Sequence, residues 1–252
     1  SGAKPILADC QEDHLIDPDS ISKLITPETK AIMPVQLNGR VSDMDAIIKI
    51  ATEYNLIIIE DSCQALGAKY KDQFAGTFGL TGTFSFFPAK TLGCFGDGGA
   101  VVTNSEEVAE KIRMIRDHGR DPSDGKVKMF GFNSRLDNLQ AAILNFKLKY
   151  YDEEVDRRRR IASLYHIHLN SIKQILLPPS PDSQVNHFDV FQNYEIEAQD
   201  RDELREFLSQ AGISTILQWG GYTLHQYHKL NLNYDLKYTE EMTKKFMLLP
   251  LH

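Results

Sequence analysis

Two short runs of branched apolar residues, AIMPVQL at 31–37 and LIIIE at 56–60, predict strands buried on both faces. Between them, residues 43–54 place Met44, Ile47, Ile48 and Ala51 at helical spacing. A strand, a helix and a second strand in that order predict a β-α-β unit, and so a parallel sheet. Further strands are expected at 82–87 and 99–103. A helix is expected to open at Ser105, an N-cap followed by Glu106 and Glu107, and to run to about residue 117. One longer helix is expected from near 136, through Ala141, Leu144 and Leu148, toward 165.

The texture then changes. Residues 176–187, LLPPSPDSQVNH, read as a connector. A strand at 191–198 and a helix at 202–211, closed by Gly212 in the C′ position, predict a smaller α+β lobe. The expected division is a large α/β domain with a mainly parallel sheet over 1–150 and the smaller lobe over 151–252. Arg157 to Arg160 follow Asp152, Glu153, Glu154 and Asp156, which predicts a solvated helix laced with ion pairs rather than a nucleic-acid contact. The chain opens on SGAKP without an initiator methionine and stops on the apolar LLPLH, so both ends read as truncated.

Composition narrows the classes. With 252 residues, 42% hydrophobic and 25% charged, the chain can bury a core and fits a globular protein. A net charge of −7 gives no reason to expect a nucleic-acid partner or an acidic membrane surface. Cys10, Cys63 and Cys94 are dispersed and lack metal-site or disulfide spacing, which suits a reducing cytoplasm. No apolar stretch approaches the length of a membrane span.

Lys90 sits between a strand-like aromatic run and a glycine-rich stretch, FSFFPAKTLGCFGDGG, where a buried ammonium is costly to desolvate. Ligands of open parallel sheets collect outside the carboxyl ends of the strands. Asp61 is expected at such an end, with Gln64 on the same turn. Ser85 leads into the lysine loop, and Gly93, Gly96, Gly98 and Gly99 allow close backbone approach there. Each has an ordinary reading: Asp61 as a turn cap, Ser85 as a strand hydroxyl, Lys90 as a solvated loop residue. Together they match what pyridoxal phosphate requires: an amine to form an imine with its aldehyde, a carboxylate at its pyridinium nitrogen, and donors for its phosphate.

The stretches EDSCQALGA (60–68), GTFSFFPAKTLGCFGDGGAVVTN (82–104), RDHG (116–119) and GFNSRLDNLQAAIL (131–144) resemble the DegT/DnrJ/EryC1/StrS sugar aminotransferases. That resemblance implies the large domain of a fold type I pyridoxal-phosphate transferase. It implies Lys90 as the lysine that bonds the cofactor and shuttles protons. It implies Asp61 at the pyridine nitrogen, Gln64 at the ring and its hydroxyl, and Ser85 at the phosphate. Asn133 is implied to reach the phosphate of a neighbouring subunit, making a homodimer with a shared active site. His225 and His118 are implied as substrate contacts, with plain loop histidines as the alternative. The implied reaction moves an amino group from an amino acid, glutamate, to a nucleotide-linked keto-sugar, as in the making of surface glycans.

The resemblance also implies roughly a hundred residues ahead of this segment, including a phosphate-gripping loop, and about twenty behind it. Two other readings stand beside it. One is a non-catalytic remnant with a regulatory or oligomerisation role. The other is a sugar dehydratase, whose histidine in place of the lysine counts against it here.

Overall fold

The computed structural model describes residues 2–181, 183, 185–232 and 234–251; Asp182 and Gln184 of the expected connector, Asn233 and both terminal residues lie outside that set. In chain order the elements are α1 (Pro18–Leu24), β1 (Ala31–Ile32), α2 (Met44–Glu53), β2 (Ile57–Asp61), β3 (Lys69–Tyr70), β4 (Gln73–Phe74), β5 (Thr81–Ser85), β6 (Gly99–Val102), α3 (Glu106–Ile115), α4 (Asn138–Leu148), α5 (Tyr151–Leu169), β7 (Ile175–Leu176), β8 (His187–Phe188), β9 (Tyr194–Ala198), α6 (Arg201–Gln210), α7 (Lys237–Thr243) and β10 (Phe246–Leu249).

The main sheet has the order β1-β2-β5-β6. β1, β2 and β5 run parallel, and β6 returns antiparallel to β5. The expected β-α-β unit is therefore β1-α2-β2. Asp43 caps α2 by accepting from the Ala46 N–H at 3.1 Å, and Met44, Ile47, Ile50 and Ala51 face inward. Ile48, expected on that stripe, is 38% exposed, and Ile50 takes its place on the buried arc. Ser105 caps α3 as expected, accepting from the Val108 N–H at 3.3 Å.

Three expected elements differ. The strand at 31–37 is ordered as β only over Ala31–Ile32, because Pro34 has no N–H to give the ladder; Val35 keeps a single bridge to Asp61. The long helix is two, broken at Lys149–Tyr150, where Tyr150 leaves helical geometry. Just after the break, the buried Tyr151 donates its hydroxyl to the Leu66 carbonyl at 2.6 Å and ties α5 to the first core. The strand expected from 191 begins at Tyr194, since Phe191 takes a φ of 49°.

A second sheet, β10-β9-β7, is antiparallel throughout, as is a third, β4-β3-β8, whose Tyr70 joins the first core. Two apolar cores result. One gathers Ile32, Val41, Met44, Ile47, Ile58, Leu144 and Val155; the other gathers Ala162, Tyr194, Ile196, Met247 and Leu249. α5 feeds both, through Val155 and Ala162. Its arginines are less solvated than the sequence suggests. Arg157 and Arg158 pair with Glu154 at 2.9 and 2.8 Å, but Arg158 also donates to the Phe191 and Gln192 carbonyls. Arg159 donates to the Asp189 carbonyl at 2.8 Å and lies 4.3 Å over the Phe188 ring. Among the described residues no helix is long and apolar enough to cross a membrane.

Candidate active site

β2 ends at Asp61, whose N–H donates to the Pro34 carbonyl and whose carbonyl accepts from Gln36. With its backbone fixed, the Asp61 carboxylate accepts from the Cys63 N–H at 3.1 Å, an Asx turn that holds it at the carboxyl edge of the sheet. The neighbouring β5 ends at Ser85, whose Oγ accepts from the Phe87 N–H at 3.2 Å. Residues 86–98, between β5 and β6, carry Lys90.

That loop is tightly held. Phe86 donates to the Gly98 carbonyl, Cys94 to the Phe86 carbonyl, and the Lys90 N–H to the Phe87 carbonyl at 2.8 Å. Gly93 is required because a Cβ there would lie 2.5 Å from the Pro88 carbonyl oxygen. Lys147 from α4 donates to the Gly93 carbonyl at 2.5 Å, and Gln140 accepts from the Phe95 N–H at 2.8 Å. From the far side, Gln192 donates to the Ala89 carbonyl at 3.0 Å and accepts from the Thr91 N–H and hydroxyl, each at 2.8 Å.

The Lys90 side chain is half-buried and makes no hydrogen bond among the described residues. Burial pushes its amine below the ordinary lysine value, and the neighbouring Cys63 and Asp61 oppose that shift. Cys63 is pushed up, by burial first and then by Asp61. Lys90, Asp61 and Cys63 thus form one electrostatic cluster at the ends of β2 and β5. An amine there is more easily neutral than a solvated lysine, and so more nucleophilic.

The other expected residues lie in different settings. Gln64 is held by an amide network: its Oε1 accepts from the Asn38 N–H at 2.8 Å and from Asn193 at 3.3 Å, and its Nε2 donates to Gln218. Gln218 and Asn38 both donate to Glu195, at 2.7 and 2.9 Å. His14 bridges Glu195 at 2.8 Å and Glu197 at 3.1 Å; burial opposes its charge, but the two carboxylates outweigh burial and raise it to about 9. A cavity lined by Asn38, Arg40, Asp189, Asn193 and Glu195 borders this network, and neither Lys90 nor Asp61 lines it.

Asn133 and His118 are exposed on two crossing segments, linked by the Asp117–Asn133 bridge and by the His118 N–H donating to the Phe132 carbonyl. Neither hydrogen-bonds Lys90, Asp61 or Ser85. His225 is buried, with Nδ1 3.0 Å from the Thr223 hydroxyl and Nε2 4.0 Å from Glu240. The structure therefore places Asp61, Lys90 and the Ser85 turn at the ends of neighbouring strands, and among the described residues the other expected residues make no hydrogen bond to them. Sequence reasoning missed Cys63, Thr91 and Gln192. Cys63 was legible as the third residue of the turn that Asp61 opens. Gln192 carries no local signal, since it reads as one more residue of a strand.

The model of the DegT/DnrJ/EryC1/StrS aminotransferase family matches residues 1–252. The chain is 42% identical over 220 residues to a pleiotropic regulatory protein of Geobacillus stearothermophilus, covering 87% of this chain and 59% of that one. It is 40% identical over 219 residues to a UDP-2-acetamido-2-deoxy-3-oxo-D-glucuronate aminotransferase of Pseudomonas aeruginosa, covering 86% and 60%. Among solved structures it resembles that of ntda from Bacillus subtilis with bound cofactor PMP, at 33% identity and a TM-score of 0.86, covering 99% of this chain and 58% of that one. The chain thus spans about three-fifths of the length of these curated relatives.

Proposed function

This chain belongs to the DegT/DnrJ/EryC1/StrS aminotransferase family, and on that premise we propose that it is the lysine-bearing part of a pyridoxal-phosphate-dependent sugar aminotransferase. The donor is an amino acid, glutamate, and the acceptor a nucleotide-linked keto-sugar. The observation that carries this reading is the Lys90 amine, half-buried, without a hydrogen bond among the described residues, and coupled electrostatically to the Asp61 carboxylate at the end of β2.

The residues suit the cofactor. When bound, pyridoxal phosphate supplies an aldehyde for the lysine and a ring that accepts electrons from the amino-bearing carbon. Lys90 would hold the aldehyde carbon and, once released, carry a proton to and from that carbon as a general base. Its lowered pKa favours the neutral amine this requires. Asp61 would keep the pyridine nitrogen protonated, and its Asx turn aims the carboxylate. The Ser85 Oγ, already accepting from Phe87, keeps its O–H to donate to a phosphate oxygen. Gln64 would contact the ring edge from the amide network.

Asn133 is assigned to the phosphate of a second copy of the chain, which its exposed position permits, so a homodimer with shared sites belongs to the reading. His225 and His118 are assigned to the sugar nucleotide. The division into a cofactor domain over 1–150 and a smaller lobe over 151–252 draws support from the two apolar cores. A cytoplasmic location, with a role in surface-glycan synthesis, completes it.

The test is covalent. The chain is incubated with pyridoxal phosphate, reduced with borohydride and digested, and the mass of each lysine peptide is read. A single adduct at Lys90 that is lost in Lys90→Ala supports the reading; no adduct, or adducts spread over surface lysines, would refute it. A screen of uridine- and thymidine-linked keto-sugars with glutamate then identifies the acceptor.

A further inference from the structure

A lysine on a loop delivers its amine to one point more readily when the backbone at either side of it is fixed, because its long side chain already has many rotamers. The two residues that flank Lys90 are held by one side chain. Gln192 Nε2 donates to the Ala89 carbonyl at 3.0 Å, and Gln192 Oε1 accepts from both the Thr91 N–H and the Thr91 hydroxyl at 2.8 Å. A carboxamide offers both polarities on one plane. A carboxylate cannot donate to Ala89, and an apolar residue of the same length leaves a carbonyl and an N–H unpaired.

Gln192 is itself set rigidly, although it lies in no strand or helix. Gly39, at φ +93°, leaves its Cβ space to this segment: a Cβ there would come 2.7 Å from the Gln192 N and 2.8 Å from the Phe191 N. Val190 donates to the Gly39 carbonyl at 2.9 Å. Arg158 donates to the carbonyls of Phe191 and Gln192, and Arg159 to that of Asp189. Phe191 takes a positive φ, a backbone state that costs free energy for a non-glycine residue and that its buried ring and these contacts sustain. The outcome of that strain is a buried amide presented to residues 89 and 91.

We infer that Gln192 is a positioning residue for Lys90: by clamping Ala89 and Thr91 it fixes the lysine's backbone and aims the amine at the Asp61 end of β2. The inference rests on the proposed role of Lys90, and it adds a residue about a hundred positions away from which the lysine's aim is set. It also couples the reactive loop to α5, because Arg158 holds the carbonyl of the residue whose side chain clamps residues 89 and 91.

The experiment compares wild type with Gln192→Leu, Gln192→Glu and Thr91→Val. Two readouts are taken: amide hydrogen exchange over residues 87–93, which needs no cofactor, and borohydride-trapped pyridoxal phosphate at Lys90 as a function of its concentration. In Gln192→Leu, exchange in 87–93 should rise about tenfold or more while the β9 and β10 amides stay protected, and the concentration for half-trapping should rise by about tenfold or more. Gln192→Glu, which keeps the acceptor side, should restore part of both, and Thr91→Val should fall between. Thr91→Val decides the matter if Gln192→Leu does not fold. Wild-type exchange and trapping in the folded variants, or a rise in exchange spread evenly over the chain, would overturn the inference. A wild-type chain that traps nothing while the local exchange contrast persists would refute the role of Lys90 and leave the clamp standing.

Discussion

Glu60 and Asp61 are adjacent acids on β2 that the strand sends to opposite sides. Glu60 is wholly buried and accepts from Gln36 at 3.0 Å and from the N–H groups of Gly76, Phe78 and Gly79 at 2.8, 2.6 and 2.9 Å. Asp61 accepts from the Cys63 N–H and couples electrostatically to Lys90. The period-two alternation of a strand separates a structural carboxylate from a chemical one by a single residue.

That separation predicts opposite phenotypes. Glu60→Ala leaves one amide side chain and three backbone donors without their acceptor, and should cost about 3 kcal/mol or more in urea unfolding. Asp61→Asn keeps the Asx turn and should change stability by less than about 1 kcal/mol, while sharply weakening pyridoxal phosphate trapping at Lys90. Equal stability losses in the two variants would contradict the assignment.

The Lys90 amine should titrate below the ordinary lysine value because burial disfavours its charge. Pulsed acetylation at increasing pH, read by mass spectrometry, should give a midpoint for Lys90 below that of a lysine in a short unstructured peptide. Removing the opposing charge in Asp61→Asn should lower it further. A Lys90 midpoint at or above that of the peptide lysine would count against the desolvated amine.

Stability should peak near neutral pH, for two reasons of opposite sign. The folded His14 titrates at about 9, above the ordinary 6.5, so its stabilisation is complete below 6.5 and is lost as pH rises through about 9. His187 is pushed down to about 4 by burial and by the charge of Arg40, so it stays neutral in the fold and stability falls as pH drops from 6.5 toward 4. Urea midpoints at about pH 5, 7 and 9.5 should be highest at the middle value. His14→Gln should flatten the alkaline limb alone.

Gly39→Ala should cost at least about 2 kcal/mol, since alanine at that positive φ is strained and its Cβ would press on the Gln192 backbone. The same variant should loosen residues 87–93 in hydrogen exchange, because Gln192 is displaced with its segment. Loss of stability without that local loosening would separate Gly39 from the lysine loop.

Much of the framework was legible along the chain because it depends on near neighbours. The cap at Ser105, the Met44–Ile47–Ala51 stripe, the parallel pairing of β1 with β2 and the terminal position of Asp61 all follow from short-range patterns. One misreading was local, since Pro34 shortens β1; the others occur where distant groups act. The break at Lys149–Tyr150 lies beside Tyr151, which bonds Leu66 in another part of the fold, and the late start of β9 belongs to a Phe191 held by Arg158 and Gly39. The arginine run read as solvated for the same reason, since its carbonyl partners lie about thirty residues further on.

What the chain's order alone determined is that an amine, an acid and a hydroxyl leave neighbouring strands, since alternation and turn chemistry act over a few bonds. What only the tertiary structure decided is which partners hold them: Gln192 astride Lys90, and Asn38, Asn193 and Gln218 around Gln64. A hydrogen bond depends on separation in space. Residues a hundred positions apart leave no mark on each other's local pattern until folding brings them within 3 Å.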